Sequence, residues 1–192
     1  MQSVKYKLQN GFSLLETLVA VAILMGAVLG PLTLASQSIR SSGLSAERIT
    51  AFFLAQEAME FVRNQRDTNG LARFDEPERE WLDGLGDCRT DINADGCTIN
   101  PLPIASDDAI QRCTGTCPLL PYGSVGAVER YGYDIPEFSV TSRKYRRTVK
   151  ITPAGGQEDA EVEVEVSVEW ETRLTDSGTD NFTVHERLFN WI

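Results

Sequence analysis

Two hydrophobic rhythms divide this chain. Residues 12–35, FSLLETLVAVAILMGAVLGPLTLA, are almost continuously apolar, and between Leu8 and Ile39 the only ionisable side chain is Glu16. As a helix rising about 1.5 Å per residue, this stretch reaches about 36 Å against a hydrocarbon core of about 30 Å, so it is long enough to span a membrane. Past Ser36 the composition turns polar but a helical period persists. Ile49, Phe52, Ala55, Met59 and Val62 recur at spacings of three or four and form one apolar face. The pattern predicts the amphipathic second half of one long helix, its apolar face packed on a sheet. Ser41, Ser42 and Gly43 weaken the helix locally, and Asp67, Asn69 and Gly70 supply a stop.

The second rhythm has a period of two. From Ala160 to Glu171, Val162, Val164, Val166, Val168 and Trp170 alternate with Glu161, Glu163, Glu165, Ser167, Glu169 and Glu171, which predicts a strand with one core face and one wet face. Arg147, Val149 and Ile151 alternate with Arg146, Thr148 and Lys150 before it, and PAGGQED (residues 153–159) reads as the turn of an antiparallel hairpin. A polar connection at 175–181 leads to a last strand of about 182–191. The fold class is therefore α+β: a long N-terminal helix, membrane-spanning in its first half, packed on an antiparallel meander of about three strands. A cysteine-rich loop region lies between them. The organisation expected is a leader at 1–11, a transmembrane helix at 12–36, an amphipathic helix at 37–70, a loop region at 71–135 and the sheet at 136–192.

The chain has 192 residues, 42% hydrophobic and 24% charged, the balance of a folded domain rather than a disordered segment. Its net charge of -10 repels polyanions and argues against nucleic acid as a general partner. Charge changes the picture most at the N-terminus. Lys5 and Lys7 precede the apolar run without an acid, so the positive-inside rule keeps the first residues cytoplasmic and sends everything after about Ser38 across the membrane.

Three readings compete for the apolar run: a cleaved secretory signal, a plain signal anchor, and a prepilin-type leader followed by a membrane helix. Gly11 and Glu16 separate them. A carboxylate inside a membrane span costs roughly 2.5–3.5 kcal/mol at a central position on insertion scales, which marks it as functional. A plain anchor has no use for it.

Residues 11–24, GFSLLETLVAVAIL, resemble the class III signal of type IV pilins and type II secretion pseudopilins. The resemblance implies that a prepilin peptidase cuts after Gly11 and that Phe12 becomes the N-methylated first residue. It also implies that Glu16, fifth in the mature chain, guides subunit docking. Each role has a physical rationale. Glycine lets a peptidase approach the backbone closely, and a carboxylate can pair with a neighbour's terminal ammonium in apolar surroundings. Pro31 inside the span removes a backbone hydrogen bond and is expected to kink the helix, as in family members with a proline nearby. LAQEAMEFVR (residues 54–63) is similar to the corresponding helix of minor pilins and I-type pseudopilins, which tilts the expectation toward a minor subunit. The implied partners are other pilin or pseudopilin subunits, prepilin peptidase, an inner-membrane assembly platform, and membrane lipid before assembly. The implied location is the cytoplasmic membrane, single-pass with an extracytoplasmic head, and then the filament. The motif does not separate a pilus from a secretion pseudopilus or a DNA-uptake filament.

Cys88, Cys97, Cys113 and Cys117 all fall in the loop region. In an extracytoplasmic segment they suggest two disulfides; three pairings are open, nearest neighbours being the first choice. Zinc is the alternative, although spacings of nine and four fit no common zinc pattern. DINADG (residues 91–96) matches the opening of a calcium loop through Asp91, Asn93 and Asp95, with glycine at the sixth position. The match fails at the twelfth position, Leu102, unless Asp107 or Asp108 folds back, and an ordinary Asp/Asn/Gly turn is the competing reading. Calcium is the one candidate cofactor.

Arg143, Lys144, Arg146, Arg147 and Lys150 form a basic run. The first expectation is cross-strand pairing with the glutamate ladder; the rival is a DNA-binding patch of a DNA-uptake pilin. The single histidine, His185, sits in an expected strand without a partner, and no phosphate loop, nucleophile elbow or paired-histidine metal motif is present in the sequence. A filament subunit without turnover is therefore expected, with a plainly anchored binding protein or enzyme as the alternative.

Overall fold

Four valines at every second position, Val162 to Val168, fix one face of a sheet, and the rest of the globular unit is built against it. The computed structural model describes residues 11, 13–101, 109–154, 160–175 and 177–191. The chain divides into two compact units, Met1–Leu44 and Ser45–Ile192. One helix, α1 (Leu14–Ala72), contributes to both.

In the first unit the large side chains of α1 are exposed as far as Ile39, among them Leu14, Leu18, Ile23 and Leu29, and Leu44 is half-buried. Three hydroxyl groups in this stretch bond back to the helix itself. Thr17 Oγ1 donates to Leu14 O at 2.9 Å, Thr33 Oγ1 to Gly30 O at 2.7 Å and Ser36 Oγ to Leu32 O at 2.9 Å. An apolar medium requires such internal satisfaction, because it offers no water to take those bonds. Pro31 lies inside α1, and the helix continues through it; its missing N–H deprives the Ala27 carbonyl of the usual partner.

In the second unit α1 buries Ala51, Leu54, Ala55, Ala58, Met59 and Val62. The core stripe is thus rotated from the one expected from sequence: Ile49 is 56% and Phe52 39% exposed. The reason is size. Three alanines let the helix backbone lie close to the sheet, while the bulkier Ile49 and Phe52 sit toward its flank, where Phe52 still meets the Phe182 ring edge-on at 5.7 Å. Nor does the helix stop at Asp67–Gly70. Asn69 is fully buried in the last turns, and its Nδ2 donates to Trp81 O at 3.2 Å and Asp83 O at 2.8 Å, pinning the following loop.

The meander consists of β5 (Val140–Pro153), β6 (Glu161–Glu171) and β7 (Thr179–Phe189). The β5–β6 register sets Val149 opposite Val166 and Ile151 opposite Val164, and β7 continues with Val184 opposite Val166. The sheet then extends beyond the meander, because the cysteine-rich region supplies β1 (Cys97–Ile99), β2 (Ile110–Arg112), β3 (Leu119–Val125) and β4 (Val128–Tyr131). β5 is long enough to take two partners along its second edge, β3 over its first half and β1 at Val149. The β3–β5 pairing shifts register around Gly123, where a Cβ would lie 2.2 Å from Ser139 O; only glycine permits that approach. One core cluster joins α1, the valine face, Tyr145, Trp170, Leu188, and Trp81, Leu82 and Leu85 of the loop after the helix.

Candidate functional site

Gly11 is exposed and non-helical, and α1 starts three residues later. Phe12 and the leader at 1–10 lie outside the described residues. Ser13 caps the helix: its Oγ accepts the Glu16 N–H at 3.2 Å, and its carbonyl accepts the Thr17 N–H at 3.2 Å. The sequence reading passed over this residue, although Ser-x-x-Glu before an apolar run is a legible helix-start signal. Glu16 stands in the first turn, where its charge complements the helix dipole. Among the described residues its carboxylate has no bonding partner. Behind it α1 is long and apolar enough to cross a membrane, and none of the most apolar window is buried.

The four cysteines form two disulfides, Cys88 with Cys97 and Cys113 with Cys117. The first bridge sits wholly in the core; Gly96 beside it has φ +77°, and a Cβ there would lie 2.5 Å from Val149 O. The structure does not gather the DINADG oxygens into a cation site. Asp91 takes two hydrogen bonds from Arg89, at 2.7 and 3.1 Å, which hold its carboxyl below the usual aspartate range. Asn93 turns its Nδ2 toward the Asp87, Gly96 and Cys113 carbonyls, and Asp95 Oδ2 accepts the Gly115 N–H at 2.7 Å. Among the described residues no group of three or more His, Cys, Asp or Glu side chains is arranged to hold a metal. Leu102, Asp107 and Asp108 lie outside them.

The basic run does not form one surface. Arg147 shares the parity of Val149 and Ile151 and is buried at 1% exposure, opposite Val168 rather than a glutamate. Its Nη1 donates to Leu54 O and Glu57, both at 2.8 Å, and its Nη2 to Ile99 O. Lys144 pairs with Glu47 and Arg143 with Glu137. Among the described residues only Arg146, 3.8 Å from Glu169, makes the cross-strand ion pair with β6 that the ladder suggests. The glutamates instead find partners on β7: Glu161 with Arg187 at 2.9 Å and Glu163 with His185 at 3.2 Å. A cleft of about 440 Å³ beside the run is lined by Lys144, Arg146, Glu169, Glu171 and Asp180 among others, a mixture of signs with no preference for phosphate.

Glu47 anchors the start of the second unit's helix. Its carboxylate receives Lys144 Nζ and, at 3.0 Å, Trp170 Nε1. Burial pushes this carboxyl up, but hydrogen bonds from Lys144, Thr172 and Trp170 outweigh it and hold the group below the ordinary glutamate range.

No curated protein and no solved structure matches the chain. Residues 6–25 match the family model described as the prokaryotic N-terminal methylation motif, a segment that includes Gly11, Phe12, Ser13 and Glu16. The match supports a class III prepilin-type leader on a type IV pilin-like, prepilin-processed protein, with the apolar helix behind it as a membrane anchor.

Proposed function

We propose that this chain is a minor subunit of a type IV pilus or a type II secretion-like pseudopilus, with no turnover of its own. Prepilin peptidase removes residues 1–11, Phe12 becomes the N-methylated first residue, and α1 docks against neighbouring subunits with Glu16 as its polar guide. The observation that carries the reading is the match at residues 6–25, with a glycine, a phenylalanine and an acid at the spacing such processing needs. The geometry supports the docking role. The first half of α1 leaves its leucines, isoleucines and valines exposed, so lipid must cover them first and helices of neighbouring subunits afterwards. A carboxylate with no partner among the described residues is costly in hydrocarbon and is relieved by an ammonium from a neighbour's new N-terminus. Two disulfides accord with an extracytoplasmic globular unit.

Mass spectrometry of the mature N-terminus from membrane and sheared surface fractions tests this. N-methylated Phe12 in both fractions is the expected result. An intact Met1, or a cut after Ala35, would refute it and restore a plain anchor or a secreted protein.

A further inference from the structure

We propose that the free edge of β7, with the flank of α1 beside it, is a docking surface for an extended segment of a partner protein in which apolar residues alternate with lysine or arginine. The inference stands on Ser45–Ile192 alone and does not depend on how the leader is processed.

β7 runs for eleven residues, Thr179–Phe189, and among the described elements it pairs only with β6. Unpaired strand edges recruit further strands, so proteins guard them with short length, proline, bulges or outward charges. β7 has none of these guards. It holds no proline, and its register with β6 runs unbroken from Thr179 to Phe189. Its charged side chains are all engaged within the same unit: Asp180 with Arg48 at 3.0 Å, Glu186 with Arg63 at 2.8 Å, Arg187 with Glu161 at 2.9 Å and His185 with Glu163 at 3.2 Å. The other terminal strands, β2 and β4, are only three and four residues long.

Burial is incomplete along this edge. On β6 the valines facing α1 are at most 1% exposed, whereas Phe182 and Val184, one strand further out, are half-buried. Beside them the flank of α1 leaves Ile49 and Phe52 open to solvent. The helix follows the strand, since Arg48, Phe52 and Arg63 meet Asp180, Phe182 and Glu186 in that order. One more strand on β7 would lay alternate side chains over this apolar shelf while its backbone paired with the edge. An edge about 37 Å long, beside a helix about 10 Å across, offers on the order of 700 Å², close to the roughly 800 Å² per partner of a stable interface.

The opposite face sets the charge of the occupant. There the five glutamates of β6 outnumber the cations paired across from them, Arg146, Lys150 and Arg187. Lysine or arginine on that face of an added strand meets complementary charge. A second copy of this chain, with its net charge of -10, fits poorly.

The test uses the full chain in a mild nonionic detergent and a peptide of about nine residues alternating lysine and valine, long enough to cover most of β7. Hydrogen exchange is read by mass spectrometry. The peptide should bind and slow exchange of the amides of residues 179–189 about tenfold. A peptide of the same composition, with lysines and valines in separate blocks, should bind about tenfold more weakly, because only alternation matches the two faces. Thr183→Lys puts a like charge on the exposed face of the edge, and Ile49→Ser trims the shelf; each should weaken binding about fivefold. Both positions are exposed, so the fold is kept. Absence of binding, equal binding of the block peptide, no added protection over residues 179–189, or parent-like affinity in either variant would overturn the proposal. So would a chain that dimerises through β7 without peptide, which would give the edge to a second copy. A parent chain that keeps Met1 overturns the leader reading and leaves this measurement untouched.

Discussion

Arg147→Ala tests how the globular unit holds its helix to its sheet. The guanidinium is 1% exposed at the centre of β5 and reaches three acceptors on two elements: Leu54 O and Glu57 on α1 at 2.8 Å each, and Ile99 O at the end of β1. Breaking a buried ion pair by removing one partner costs about 3–5 kcal/mol. Here the lower end applies, because Glu57 is 38% exposed and water can solvate it once Arg147 is gone. The Ile99 carbonyl has no such recourse, and an unsatisfied buried acceptor costs about 1–3 kcal/mol. The expected loss is therefore about 3 kcal/mol. Arg147→Met should lose less, about 1–2 kcal/mol, because the side-chain volume is retained. Both substitutions remove one penalty, since Arg147 Nε is buried with no hydrogen-bond partner among the described residues. The assay is urea unfolding of the full chain in a mild detergent, followed by the fluorescence of Trp81 and Trp170, both buried in the core. An Arg147→Ala chain within 1 kcal/mol of the parent would refute the argument that this side chain is a clamp, and an Arg147→Met chain as weak as Arg147→Ala would refute the argument that its volume carries part of the cost.

Two further outcomes follow from the same unit. Replacing Cys88 and Cys97 together by alanine opens a loop of sequence separation 9 and should cost about 2.5–3 kcal/mol on the loop-entropy relation, whereas Cys113 with Cys117, at separation 4, should cost about 2; a reversed order in the urea midpoints would contradict that. Glu47 has a folded pKa held below its unfolded value of about 4.5, so its contribution is present above that value and lost as pH falls through the folded one. Between pH 6 and 3 the parent should lose more stability than Glu47→Gln; identical slopes would show that the contacts with Lys144 and Trp170 do not stabilise the charged form.

What the sequence reveals, and what it hides, follows the range of the interactions. The valine–glutamate alternation of β6 and the apolar run of α1 are long enough to declare their period locally. β1 to β4 are not: they are short, β3 carries Pro121 and Gly123, and β1 and β3 lie along β5 from far away in the chain. The helix stripe was misjudged because alanine counts for little on a hydrophobic scale, yet Ala51, Ala55 and Ala58 are what let α1 approach the sheet. Arg147 is the opposite case. Its parity with Val149 and Ile151 placed it in the core, and grouping it by charge with Arg146 and Lys150 obscured that. DINADG is ambiguous in composition alone; the sequence does not show that Arg89 and the Gly115 amide engage Asp91 and Asp95. Ser13 is legible in the sequence as the first residue of Ser-x-x-Glu, three positions before the rarer acid whose turn it caps.

The two units make different demands on their surroundings, and that difference locates the function. Ser45–Ile192 meets most of its own: its valines face a helix, its cysteines are bonded, and its basic strand is largely answered by carboxylates or carbonyls of the same unit. Within Met1–Leu44 the described part of α1 meets almost none, since its large apolar side chains are exposed and its one acid has no partner among the described residues. Lipid satisfies leucine and valine without specificity, so an anchor alone accounts for the apolar run. It does not account for Glu16, because hydrocarbon offers a carboxylate neither hydrogen bond nor counter-charge. In the proposed subunit role, a position that lipid makes costly and another protein chain can make favourable is a switch between those two environments. On that proposal, transfer from membrane to assembly is the step in which such a residue gains most.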